Sequence, residues 1–277
     1  MTAPILILGS RGKTGQRLHR QLSAQGIAVR CATRTPRTMD DVAFDWSDAA
    51  LAKAAFEGVQ RAYVVAPTDR SDHAELMVPV LDHAVRVGVQ RLVLLSAETL
   101  ERGGPMMGQV HDWIADHAPQ WAVLRPSWFM QNFAEPRHLD GAKREGVIYS
   151  ATGQGRVGFI DAEDIARVAA AALTADEGWN RDLILTGPQA LSYNDVAAHL
   201  SRHLGRDVRH VALSEDALAE RLEGQGLPSD YARVLAAMDT AIAAGAAETL
   251  SPEVEQVTGV PPRRLADCMS RDADFAA

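Results

Sequence analysis

The sequence predicts an α/β fold: a doubly wound parallel sheet with a smaller, mostly helical C-terminal lobe. Three observations carry this expectation. Short aliphatic runs, among them residues 5–8 (ILIL), 62–66 (AYVVA) and 91–96 (RLVLLS), alternate with helical patterns through the first half of the chain. These runs are apolar at nearly every position, as strands covered on both faces are. Strict strand–helix alternation joins neighbouring strands in parallel. After Pro126 the rhythm loosens and helical patterns dominate.

In chain order, residues 5–8 open the sheet, and residues 14–25 read as a helix closed by Gly26. Residues 27–33 and 42–46 are expected as the second and third strands, with Ser47 capping a helix through Phe56. Residues 62–66 form the fourth strand, followed by a helix over 72–87 that Gly88 stops. The fifth strand is 91–96, then a helix over 107–117, then a sixth strand over 121–124. Beyond it come a strand at 147–150, a helix at 161–173, a strand at 182–185, a helix at 192–204 and a strand at 208–211. From Ser214 the pattern is helical, broken at 224–228 and at Gly245, with Ser251-Pro252 starting another helix.

Bulk properties narrow the function. The 277 residues are 47% hydrophobic, enough for a full core, and the net charge of −8 argues against a nucleic-acid partner. Cys31 and Cys268 show no metal-ligand spacing and no disulfide framework, so no metal is expected and a reducing cytoplasm is the simplest setting. No apolar stretch approaches the roughly 20 residues of a membrane helix, and residues 5–8 are too short for a secretory signal. The expected partner is a small molecule, with the chain a monomer or homodimer.

The turn after the first strand carries the strongest motif, Gly9-Ser10-Arg11-Gly12-Lys13-Thr14-Gly15. Gly9 suits a tight turn, Gly12 lets backbone amides approach a pyrophosphate, and Gly15 lets helix and strand pack closely. The helix amino end adds a positive dipole and free N–H groups. A glycine-rich corner is also found as a plain structural turn, but the flanking strand and helix are the context a dinucleotide site requires. Residues of about 1–126 are therefore expected to form a dinucleotide-binding core. Residues of about 127–277 would form a substrate lobe, interleaved with the sheet over its carboxyl edge.

An NAD site usually ends the second strand with an acid for the ribose hydroxyls. Here that strand runs into Thr33-Arg34-Thr35-Pro36-Arg37, without an acid until Asp40. The planar donor fork of arginine suits a phosphate, so Arg34 with Arg11 favours NADPH over NADH. Two solvated arginines are the competing reading. Asp45-Trp46 either bound the adenine or place Asp45 as an ordinary cap. Ala66-Pro67 would lie along the nicotinamide side.

A common dehydrogenase arrangement, Tyr four residues before Lys, is missing. The four tyrosines Tyr63, Tyr149, Tyr193 and Tyr231 precede Pro67, Gly153, Ala197 and Leu235. Ser96 ends the fifth strand where such folds keep a serine, and His111 occupies the approximate region of the absent pair. Ser96 and His111 are thus the candidate catalytic residues, with His111 equally readable as a satisfied helix residue. Ketone reduction needs hydride and a proton. An iminium carbon needs hydride alone, and a quinone accepts it readily, so positioning and electrostatics would supply most of the catalysis. Trp128, Phe129, Met130 and Phe133, just past the sixth strand, are placed either to stack on a flat or cationic substrate or to fill the core.

Several long segments resemble one family: "GSRGKTG", "VAFDWSD", "AYVVAP", "RLVLLSAETLERGGPMMGQVH", "AVLRPSWFMQNF", "IYSATGQGRVGFIDAEDIARVA" and "LTGPQALSYNDVA". They cover most of the chain to about residue 215, and the tail "VTGVPPRRLADCMSRDADF" is similar too. The chain resembles the NmrA-like atypical short-chain dehydrogenases, and within them the ergot-alkaloid festuclavine and agroclavine dehydrogenases and their bacterial relatives. The resemblance implies a Rossmann fold binding NADPH, and for the fungal members hydride delivery to a cyclic iminium. It places the cofactor on Gly9, Gly12, Gly15, Arg34, Ala66, Pro67 and Ser96, and puts Tyr149 with the segment to Asp164 in the substrate wall. It transfers no catalytic residue. A second reading from the same family is a redox-sensing regulator that binds NADP(H) without turnover. Nucleotide-sugar epimerisation is a third, and it suffers most from the missing tyrosine.

Overall fold

The computed structural model describes residues 3–67 and 70–275 of the chain. They fall into two compact units, each built from three chain segments.

The first unit comprises Met1–Pro126, Ala162–Leu185 and Glu253–Val260. Its strands are β1 (Ile5–Ile7), β2 (Val29–Thr33), β3 (Asp41–Ala43), β4 (Arg61–Val65), β5 (Arg91–Leu95), β6 (Gln120–Pro126) and β9 (Arg181–Leu185). They form one all-parallel sheet in the order β3-β2-β1-β4-β5-β6-β9. Six of the seven were legible as consecutive strands. The seventh comes from the second half of the chain and pairs with β6, Val123 opposite Asp182.

Helices α1 (Gly15–Ala24), α2 (Ala49–Ala54), α3 (His73–Arg86), α4 (Met107–His117), α6 (Ala162–Thr174) and α10 (Glu253–Thr258) complete this unit. Leu92 and Leu94 of β5 share a buried cluster with Met77 and Leu81 of α3 and Val110 and Ile114 of α4. Packing on the other side pairs α1 with α6. The carboxyl end of α6 is held by two arginines. Arg91, 2% exposed, donates to the carbonyls of Ala172, Leu173 and Ala175, and Arg61 donates to Leu173. Cations there oppose the negative end of the helix dipole and satisfy its last carbonyls.

Two local expectations are corrected. The third strand stops at Ala43 rather than Trp46, because the Trp46 indole turns inward and donates to Val65 O at 3.0 Å, edge-on to Phe44. Asp48, not Ser47, caps α2: its carboxylate accepts from Ala50 N and Leu51 N, while Ser47 bonds back to Asp45.

The second unit comprises Ser127–Asp161, Thr186–Pro252 and Pro261–Ala277. It contains α5 (Pro136–Arg144), α7 (Tyr193–Leu204), α8 (Glu215–Gly224), α9 (Ser229–Ala243), α11 (Leu265–Arg271) and a 3-10 turn at Met130–Ala134. Its strands pair as β7 (Val147–Ser150) with β11 (Arg209–Ala212) in parallel, and β8 (Arg156–Val157) with β10 (Leu191–Ser192) antiparallel. The expected helix at 192–204 is formed with a full capping box from Ser192 and Asp195, and Gly205 closes it in the left-handed conformation, φ 65°. Neither α5 nor the β8–β10 pair was legible. In α5 the helix-weakening Gly141 is required, because a Cβ there would lie 2.8 Å from Val147 O.

Candidate functional site

The glycine turn has the geometry its residues call for. Gly9 adopts φ 62°, and Gly12 N donates to Gly9 O at 2.8 Å. A Cβ at Gly15 would stand 2.2 Å from Gly9 O, a backbone clash no side chain can relieve, so helix and turn meet closer than any other residue permits. Gly12 lies exposed on the turn. Ser10 Oγ, buried, donates to Ala32 O and ties the turn to β2. Thr14 accepts from the Tyr63 hydroxyl at 3.0 Å. Tyr63 is fully buried, which pushes its phenol well above the ordinary value, so it serves as a brace and not as an acid. The amino end of α1 carries no side-chain cap and no acid in its first turn. These residues fit a dinucleotide: the positive helix end is left for a pyrophosphate.

At the edge of β2, Arg34 is exposed. Arg11 is exposed as well but donates to Asp41 at 2.8 Å. Asp41 also accepts from the backbone of Arg37 and Thr38, and the Arg37 bond foremost holds its carboxyl below the usual range. Asp45 accepts from the backbone and hydroxyl of Ser47 and is lowered by it, a local turn bond and not a helix cap, while Trp46 is core. Ala66 and Pro67 follow β4 directly, and Pro67 O is bonded to the His73 ring.

Past β5, Ser96 N donates to Leu124 O at 2.8 Å, and the buried Ser96 Oγ has no partner among the described residues. His111, in the second turn of α4, is 1% exposed with neither ring nitrogen bonded. Its ring lies 5.7 Å from that of Trp121, and burial pushes its pKa below the ordinary value, with Asp182 opposing. Nearby, Arg125 donates to Asp182 and to Glu98 O, each at 2.7 Å. Burial alone would raise the Asp182 carboxyl, but the Arg125 bond and charge overcome it. Arg125, Asp182 and Glu98 were missed in the sequence. Their signal is period-two alternation with core residues, which needs the strand pairing to become visible.

In the second unit an aromatic cavity of about 50 Å³ is lined by Trp128, Phe133, Phe159, Tyr193, Tyr149 and Arg221, with Asp239 at its wall. Phe133 packs edge-on to Phe159 and Tyr193 at 5.0 and 5.4 Å. The Arg221 guanidinium stands 3.8 Å over the Tyr149 ring. Of the expected substrate aromatics, Trp128, Phe133 and Tyr149 line this cavity, and Phe129 and Met130 do not. Phe129 bridges to Ile160, and Met130 is 1% exposed in the core. Phe159 belongs to the segment from Tyr149 to Asp164 expected in the substrate wall, whereas Tyr193 went unnoticed because it lies far along the chain. Elsewhere in this unit Asp161, Cys268 and Asp272 converge, and the amide of Gln131 donates to all three, so a hydrogen-bond donor already lies among them.

Comparisons with known proteins agree with this architecture. A family profile described as NAD(P)H-binding matches residues 9–176, and one described as the NmrA-like family matches residues 109–269. Agroclavine dehydrogenase of Claviceps fusiformis is 39% identical over 96% of both chains. The uncharacterised oxidoreductase YesF of Bacillus subtilis is 40% identical over 98% of this chain and 96% of its own. The NADPH-dependent quinone oxidoreductase QOR2 of Escherichia coli, solved with NADPH, superposes with a TM-score of 0.82 at 23% identity, covering 96% and 98% of the two chains. The chain belongs to the NmrA-like family of atypical short-chain dehydrogenases and is an NAD(P)H-dependent oxidoreductase.

Proposed function

We propose that the protein uses NADPH to reduce an imine, iminium or quinone-like small molecule without a Tyr–Lys pair. The observation that carries this reading is the make-up of the edge beyond β5. No tyrosine of the chain stands four residues before a lysine, and what lies there is Ser96 and a neutral, desolvated His111. Acceptors that take hydride readily suit such an edge. Relatives named for agroclavine, festuclavine and azo substrates, and a fold neighbour named for quinones, support the acceptor class.

When bound, NADPH would supply the hydride. The amino end of α1 and the turn of Gly9, Gly12 and Gly15 would hold its pyrophosphate, and Arg34 its 2′-phosphate, with Arg11 already engaged by Asp41. Ala66, Pro67 and the Ser96 hydroxyl would border the nicotinamide. Trp128, Phe133 and Tyr149 would stack on a flat acceptor. We also place the protein in the reducing cytoplasm as a monomer or homodimer. Neither Cys31 nor Cys268 forms a disulfide among the described residues, and no described helix is long and apolar enough to cross a membrane.

The test is NADPH consumption at 340 nm against cyclic imines, iminium salts and quinones. Turnover of one such class is expected. NADPH binding with no acceptor consumed would instead favour the regulatory reading.

A further inference from the structure

Pairing between β5 and β6 does not stop where β5 does. Ser96 N donates to Leu124 O at 2.8 Å and Glu98 N to Pro126 O at 2.9 Å, so the ladder runs on to Glu98, where a turn closed by Leu100 N on Ala97 O begins. Side chains alternate along such a chain. Ser96 therefore continues the face of Leu92 and Leu94, the one packed on α3 and α4, and Glu98 stands two residues beyond it where the turn opens. Arg125 clamps this extension from β6 by donating to Glu98 O, while its other arm is committed to Asp182. The Glu98 carboxylate, half-buried, takes no hydrogen bond and no ion pair among the described residues. Burial raises its proton affinity, and the Arg125 charge only partly offsets this.

We propose that Glu98 is a further catalytic residue, donating the proton a neutral imine requires as hydride arrives, with Arg125 as the residue that positions it. The inference rests on the reductase reading and supplies the proton that the neutral imines of its acceptor class require. The step balances. The imine carbon gains hydride and its electron pair from the reduced nicotinamide, the C=N π bond opens, and nitrogen gains the Glu98 proton. The carboxylate then recovers a proton from water. Without a donor the nitrogen, still bonded to carbon, would have to hold the π electron pair as an amide anion, a strongly basic species.

Two probes separate the roles: 3,3-dimethyl-3H-indole, which stays neutral near pH 7, and its N-methyl indolium salt, which needs no proton. The reading is the ratio of kcat/KM for the neutral probe to that for the salt. Glu98→Gln should lower this ratio about 100-fold or more, and Glu98→Asp should restore part of it. Carboxyl NMR of the wild-type protein should show one glutamate, lost in Glu98→Gln, titrating above the ordinary value of about 4.3. The charged group that acts on it is Arg125, which in turn faces Asp182 and His111. A ratio unchanged while both rates fall together would reduce Glu98 to a structural role, and a midpoint at or below the ordinary value would also overturn the assignment. A wild-type protein that consumes neither probe would remove imines and iminium ions from its acceptors, and the assignment with them.

Discussion

Gly12 and Arg34 are the single residues on which the cofactor assignment is most exposed to test. Gly12 lies exposed on the turn before the amino end of α1, so Gly12→Asp would set a carboxylate where a pyrophosphate is to lie. NADPH binding should fall below detection by calorimetry, and an unchanged affinity would remove the cofactor from this turn. Arg34→Asp should lower the ratio of NADPH to NADH affinity by about 10-fold or more, a charge-assisted contact being worth roughly 1.5–3 kcal/mol. At this scale much was legible. Glycines at this spacing make either a dinucleotide turn or a plain structural one, and the flanking strand and helix favour the first from the local chain alone. Arg11 was read with Arg34 as a donor to the 2′-phosphate. That its guanidinium is spent on Asp41, thirty residues on, is a property of the folded strand edge.

Among the elements, α2 and α6 show where local reasoning succeeds and where it slips. Ser47 and Asp48 are both good capping residues in adjacent positions, and the sequence offers no basis for choosing. The structure does, because Asp45 captures Ser47 and leaves Asp48 facing the free amides of α2. Asp48→Ala should therefore cost about 1 kcal/mol in urea unfolding, and Ser47→Ala clearly less. The end of α6 depends on Arg91, read in the sequence only as the first residue of a strand. Its loss in Arg91→Ala would leave a cavity and several carbonyls without donors, an expected cost of about 3 kcal/mol or more by the same measurement.

For the whole molecule, pH and cofactor are the two levers. His111, His199 and His210 all have pKa values pushed below the ordinary 6.5, burial being the first cause in each. Such groups bind protons more readily in the unfolded chain. Their contribution is thus fully present above about pH 6.5 and is lost as pH falls toward the lower folded values. The urea midpoint should decline between pH 7.5 and pH 5.5, and less steeply in His111→Phe. NADPH at about 100 times its Kd should add roughly 2.7 kcal/mol of stability, read as a rise in Tm that NADH at the same concentration does not match.

By itself the sequence determined the parallel sheet, the glycine turn and the missing Tyr–Lys pair, because each is written in neighbouring residues: unbroken apolar runs, three glycines between a strand and a helix, and fixed four-residue spacings. Only the tertiary structure decided that β9 extends the sheet beside β6, that Arg125 bridges Asp182 and Glu98, and that Phe133, Phe159 and Tyr193 meet in one cavity. Those contacts join residues tens of positions apart. Local propensity is silent on such pairings, since they are selected by how the assembled chain buries its apolar faces and satisfies its polar groups together.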